Sequence, residues 1–464
     1  MTMYILLLLG VVIIGIPLCD KKCGKWGRAA YCAAAAIAFI IIAANRFHVG
    51  YDYNSYAGIY FNMKYQDIEN VIAGRTEKGF IMPLYILNLA FEDYRTVFVY
   101  TSIIIYSSVF YFIYKHSSCP WISAAAYMCF GLFFNSLCFL RQVMAALLVT
   151  YAVQFVCEKR PFRFLVLVVA ASAFHWSAVF MVVMYLLLRI KPNYIYLGVI
   201  TAGMVLFLLF SRSVMLWAVD KFYMYRGYNP ETSSEASVGL PMRYTVMFGI
   251  LFVVCFIFRK RLIEKNHNNA IYINCLMYTV VFEAMGMRHG ILSRFAVLVY
   301  MPAILYLLPD LAIVVKAYLA AKISDVKRRQ LAGIGAAAAS AVFSAACFLV
   351  LMINNYNGVM PYISYSNRPY DIMVERLSDE GEDELTEEEY DDDYDNFVEE
   401  DGDEESYING GDIAADDYDV TDDIDSDFTD EADGDIGFDD DDGYTLDSDL
   451  LEQEILGQLG RLTV

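Results

Sequence analysis

Long apolar runs recur from Tyr4 to Met352, and they decide the solvent this chain folds in. A water-soluble protein of this length would break such runs with amphipathic periods. The chain is 58% hydrophobic and rich in aromatics. It therefore reads as an all-α, polytopic membrane protein, since a backbone in lipid must satisfy its own hydrogen bonds. The first run, Tyr4–Leu18, lacks a basic stretch before it and a good cleavage site at Leu18–Cys19, so a retained span is expected rather than a signal peptide.

Charge divides the chain into two materials. From Asp379 to Val464 there are 38 acidic residues and one arginine, so this tail contributes −37 to a whole-chain charge of −21 and leaves +16 for residues 1–378. The expected organisation is a membrane domain over residues 1–370 and an acidic, largely disordered tail over 371–464.

Lysine and arginine clusters fix the orientation. They fall at Lys21–Lys25, Glu158–Arg163, Arg189–Lys191, Arg259–Arg261 and Lys327–Arg329. Placing all of them in the cytoplasm gives about twelve crossings, with both termini outside. Phe164–Phe174 and Trp176–Leu188 must then form a hairpin, although each arm is short of the ~20 residues a bilayer needs. Phe80–Phe91 is too short to cross and would break the parity, so it is expected to be a re-entrant segment on the outer side.

This topology leaves few lysines outside, at Lys64, Lys78 and Lys221. Arginines, by contrast, face out at Arg46, Arg95, Arg141, Arg288, Arg294 and five further positions. Positive-inside bias acts on both residue types, so outward arginine calls for another cause. Snorkelling to headgroups is one. A planar fork that holds phosphate or carboxylate in bidentate fashion is the other. All ten cysteines fall in spans or inside, so no outer disulfide framework is expected, and Cys19 and Cys23 lack partners for a zinc site.

The densest polar stretch is Asn45-Arg46-Phe47-His48-Val49-Gly50-Tyr51-Asp52-Tyr53-Asn54-Ser55-Tyr56. Interfacial tyrosines explain part of it but not Asp52. Glu77 precedes the short apolar segment, where it either caps a helix or points into a site. Arg141 opens a span beside Gln142. His175 sits between Phe174 and Trp176 at the tip of the short hairpin, as a core histidine or a working one. Arg288 and Arg294 flank another outer turn. Charged groups from such distant positions, brought to one face of a membrane, need mutual pairing or a charged ligand.

Val49-Gly50-Tyr51-Asp52-Tyr53…Tyr56, Glu77-Lys78-Gly79-Phe80, Leu140-Arg141-Gln142…Ala145, Phe174-His175-Trp176-Ser177 and Ser293-Arg294-Phe295, in this order, resemble the EpsG family of Wzy-type exopolysaccharide and capsule polymerases. The resemblance covers roughly residues 1–370; the acidic tail departs from it. It implies a membrane glycosyltransferase acting on undecaprenyl diphosphate-linked oligosaccharide repeat units at the outer face of the cytoplasmic membrane. It also implies work beside a chain-length regulator and a flippase of the same pathway. Such a transfer needs a base for the acceptor hydroxyl and cations for the diphosphate leaving group. Asp52, Glu77 or His175 is the expected base, with Asp52 preferred. Arg141 and Arg294, then Arg46 and Arg288, are expected on the diphosphate. Tyr53 and Tyr56 are expected to stack on sugars or line the groove, and Gln142 to bind substrate. Neither a metal motif, nor a nucleotide loop, nor a nucleic-acid-binding pattern is visible, so no cofactor is expected if arginine takes the cation's place.

Three other classes compete. A flippase or transporter of lipid-linked sugar predicts midplane charges and an internal repeat, whereas Glu283 is the main charge inside a span. A non-catalytic scaffold of a polysaccharide assembly explains the tail but not the outer arginines. A membrane acyltransferase would want its histidine facing the cytoplasm, where only His116 and His267 lie. In the tail, the glycines stand out of register for calcium-binding loops, and Leu450…Leu459 has helical spacing that suits a partner.

Overall fold

The computed structural model describes residues 1–365 except 67, 75, 222–241 and 324. The acidic tail lies outside the described residues. The described chain is helical throughout, with one isolated backbone bridge, Arg46 to Ser364. The helices are α1 (Thr2–Leu18), α2 (Gly24–Ala44), α3 (Tyr53–Asn62), α4 (Ile68–Ala73), α5 (Lys78–Asn88), α6 (Arg95–His116), α7 (Pro120–Cys129), α8 (Leu132–Cys138) and α9 (Leu140–Cys157). They continue as α10 (Pro161–Ser172), α11 (Met181–Leu187), α12 (Tyr194–Lys221), α13 (Met242–Ile257), α14 (Arg259–Lys265), α15 (Asn269–Gly286), α16 (Arg294–Pro302), α17 (Leu308–Lys322) and α18 (Val326–Ile353).

Among the described residues, six helical stretches are long and apolar enough to cross a bilayer. They are Gly24–Ala44, Arg95–His116, Leu140–Cys157, Tyr194–Trp217, Gly290–Lys322 and Val326–Ile353. A seventh forms if α7 and α8, bent by 57°, count as one span. The bend falls at Gly131, whose φ of +83° suits glycine and few other residues. The count of twelve therefore exceeds what length and composition support. α10 has 12 residues and α11 has seven, about 18 and 10 Å at 1.5 Å per residue, against a hydrocarbon core of about 30 Å. They do fold back on each other as a hairpin through the turn Trp176–Phe180. α5, with 11 residues, is likewise too short to cross.

Termini and packing follow from local chemistry. Arg28, at the start of α2, donates to the carbonyls of Ile113, Tyr114 and Ser117 at the end of α6. It thereby satisfies acceptors that a helix C-terminus leaves open and sets α2 and α6 antiparallel. Tyr4, Phe39, Tyr106, Tyr127, Phe133 and Phe134 interlock edge to face behind them. The Lys265 ammonium lies 2.5 Å from the buried Asp310 carboxylate, which also accepts from Asn269.

Candidate active site

Two backbone clamps build the site. In the first, the α2–α3 loop lies against the segment after α18. Phe47 N donates to Ile363 O at 2.9 Å, Tyr365 N to Asn45 O at 2.8 Å, Gly50 N to Gly358 O at 3.0 Å, and Tyr51 N to Asn357 O at 3.2 Å. Gly50 has φ +101°, and a Cβ there would meet Leu137 O at 2.8 Å. The clamp sets half-buried Asp52 at the mouth of α3, where its carboxylate does not cap the helix.

In the second clamp, Gly79 N donates to Ala173 O at 2.7 Å, which locks the start of α5 onto the α10 corner. A Cβ on Gly79 would sit 2.5 Å from that same carbonyl oxygen. Glu77 then stands at the cap position of α5, yet its side chain makes no capping bond. Instead it bridges two other elements. Oε2 accepts from Arg141 Nη1 at 2.6 Å, and Oε1 lies 3.1 Å from His175 Nδ1. Trp176 N adds a long contact to Oε1 at 3.4 Å.

The electrostatics separate the two carboxylates. Burial alone pushes Glu77 up, but the His175 hydrogen bond and the Arg141 charge overcome it and bring its pKa down to about 2. Burial also pushes Asp52 up, and there the charges of Arg294 and Arg141 do not overcome it, so its pKa stays raised. Asp52 thus holds a proton more readily than an ordinary aspartate, whereas Glu77 is ionised at any physiological pH. An ionised carboxylate only accepts, so the Nδ1 facing it carries the hydrogen. In the neutral imidazole this leaves Nε2 as the acceptor.

The remaining expected site residues distribute unevenly. Arg294 opens α16, and its charge acts on Asp52. Gln142 is buried and donates through Nε2 to the Arg294 backbone carbonyl. Tyr53 is buried and stacks on Phe98, with centroids 4.2 Å apart and planes 9° apart, so its face is taken. Tyr56 is buried too, against Phe80 and in reach of Arg141. Arg46 is 1% exposed, donates to Ala43 O at 2.5 Å, and lies 4.5 Å over the Phe98 ring. Arg46, Tyr53, Tyr56 and Gln142 are thus all buried. Arg288 is exposed at the end of α15, outside the contacts that join Glu77, Arg141 and His175. Among the described residues, no trio of His, Cys, Asp or Glu is placed to hold a metal.

A family model covers residues 29–364, which takes in every motif just described and every contact of the site except that of Tyr365. The chain belongs to the EpsG family. As an EpsG-family protein it is a multi-pass membrane protein of the polysaccharide-polymerase type. No curated protein and no solved structure matches the chain. What sequence reading missed in this EpsG-family chain is that Glu77, Arg141 and His175 form one network. It also missed that residues 357–365 brace the Asp52 loop. The tyrosines and the proline after Met352 were visible, but nothing local says which loop they meet.

Proposed function

We propose that this chain polymerises undecaprenyl diphosphate-linked oligosaccharide units at the outer face of the cytoplasmic membrane, with residues 1–370 forming the working domain. One observation carries the reading: a single ionised carboxylate, Glu77, holds both a guanidinium and an imidazole. The dyad logic is that of a base oriented by an acid. His175 Nε2 takes the proton from an acceptor sugar hydroxyl. The freed oxygen attacks the anomeric carbon of the lipid-bound glycan, and the bond from that carbon to the diphosphate oxygen breaks. Undecaprenyl diphosphate leaves, with its charge held by Arg141 and Arg294. Gln142 sets Arg294, and Glu77 sets both Arg141 and the tautomer of His175. The orientation read from lysine and arginine puts these groups outside, and it is part of this proposal.

A second reading keeps Asp52 as the base. Burial raises its carboxyl above the ordinary aspartate range, and it lies within reach of both arginine charges, so it holds a proton more readily than Glu77 does. Deleting the gene and resolving lipid-linked and surface polysaccharide decides the function. Loss of long polymer with accumulation of single lipid-linked units outside supports polymerisation. Units trapped on the inner leaflet would replace it with a flippase. Intact polymer would remove the polymerase reading.

A further inference from the structure

A cleft of about 680 Å³ runs between α14 and α17, a volume in the range that holds small ligands. Helical spacing builds it. Arg261, Glu264 and Lys265 share one face of α14. On α17, Ile313, Ala317 and Ala321 form one row, and Val314, Tyr318 and Lys322 form the row beside it. The Lys265 ammonium, 2.5 Å from the Asp310 carboxylate, pins the two helices together. Between them, the small side chains of Ala317 and Ala321 leave the space open.

The depth of the cleft follows from the chain. Lys322 ends one stretch long and apolar enough to cross a bilayer, Gly290–Lys322, and Val326 begins the next, Val326–Ile353. Lys322 therefore stands at a membrane surface. Ile313 lies on the same helix up to about 14 Å deeper. The cleft is thus charged at its mouth and apolar below, which is the order of chemistry along a phospholipid.

Two cations at the mouth are available. Lys265 is committed to Asp310, whereas neither Arg261 nor Lys322 pairs with a carboxylate among the described residues. Arg261 lies 4.4 Å over the Tyr318 ring, which meets the Phe258 ring at 5.6 Å. Such stacking fixes the guanidinium plane and leaves its N–H edge to a ligand. Glu264 alone is acidic among the lining residues. Lys260, Lys316, Lys327 and Arg328 stand exposed on neighbouring turns and add to the positive field.

We propose that this cleft binds one anionic phospholipid. Its phosphate lies between Arg261 and Lys322, and an acyl chain runs down α17 over Ala321, Ala317 and Ile313. Glu264 accepts from a headgroup hydroxyl, such as the glycerol of phosphatidylglycerol offers. The acidic C-terminal segment is the other source of negative charge. However, the described chain ends at Tyr365, whose N–H is held by Asn45, past the far end of α18. The 28 residues of α18 put about 42 Å between that end and the cleft. Carboxylate side chains also offer nothing to the alanine floor.

The purified full chain is equilibrated in detergent with phosphatidylglycerol, phosphatidylcholine or inorganic phosphate, and native mass spectrometry counts what stays bound. Wild type should retain one phosphatidylglycerol, bound about fivefold or more tighter than phosphatidylcholine. Arg261→Gln/Lys322→Gln should weaken that binding by about tenfold or more. Ala317→Phe keeps every charge but fills the chain slot, and should weaken it as well. Lys260→Gln/Lys316→Gln removes exposed charge outside the lining and should bind as wild type does. Equal losses in the cleft pair and in this control pair would show a diffuse basic surface and overturn the site. Wild-type binding by Ala317→Phe would do the same, as would equal retention of the two lipids or no retention by wild type. Displacement by inorganic phosphate would leave a phosphate site without a lipid. A carbodiimide crosslink from Lys322 to the acidic segment would give the cleft to the chain's own tail.

Discussion

Arg141 Nη1 lies 2.6 Å from Glu77 Oε2, although the two residues are 64 positions apart in the chain. The pair faces the opposite oxygen's contact with His175, so one side chain sets the geometry of two others. Arg141 is only partly buried, so the bond serves to hold the guanidinium fork at a fixed angle more than to stabilise the fold.

Replacing Arg141 with Lys keeps the charge and loses the fork. Polymer made by Arg141→Lys cells should be much shorter, or should disappear, while the protein reaches the membrane at normal levels. Gel profiles of surface polysaccharide beside an immunoblot check this. Full-length polymer from the variant would remove Arg141 from the diphosphate role.

Glu77→Gln should lose stability in a pH-dependent way. The folded-state pKa is lowered from 4.5 to about 2, so the carboxylate's contribution is fully present above 4.5 and fades as pH falls toward 2. Its size is about 2–3 kcal/mol. Melting curves of the variant should fall below wild type at pH 7, and the two should converge on acidification. A constant gap across that window would contradict the assigned pairing.

Asp52→Asn should move stability the other way. The folded-state pKa is raised, so ionisation costs the folded protein, and that cost grows as pH rises from the ordinary carboxylate range through the raised value. The amide avoids it. The variant should melt higher than wild type at neutral pH, and the gain should vanish in acid. If Asp52 is the base, the same variant is inactive despite its stability. If His175 is, polymerisation by Asp52→Asn survives while that by His175→Asn is lost.

Gly79→Ala tests the clamp at the α10 corner. A methyl group 2.5 Å from the Ala173 carbonyl oxygen forces backbone to move on one side or the other, and the move draws Glu77 away from His175. Activity should drop by about tenfold or more, as a shift near 1 Å does in a positioned site. The drop should exceed that for Gly249→Ala, whose Cβ has open space. Equal activities for the two variants would show that the clamp does not position Glu77.

Asp310→Ala removes a buried acceptor shared by Lys265 and Asn269. The expected loss is about 2 kcal/mol, since a buried donor left unpaired costs 1–3 kcal/mol and Lys265 can still turn to water. Because this anchor stands apart from Glu77, Arg141 and His175, the purified variant should melt lower yet keep its KM. A raised KM with unchanged melting would tie the anchor to the site.

The sequence by itself determined the solvent, the helical class and the residues worth testing. Apolar runs, basic clusters and short motifs are local patterns, and a membrane enforces their consequence on each segment separately. The tertiary structure alone decided which candidates meet. Tyr53, Tyr56, Arg46 and Gln142 stand in motifs as polar as those of Glu77 and His175, yet the fold buries the first four and brings the other two into contact. Glu77 and His175 are 98 residues apart. No local pattern specifies a contact across that distance, because its register is fixed by how α5 packs on the α10 corner.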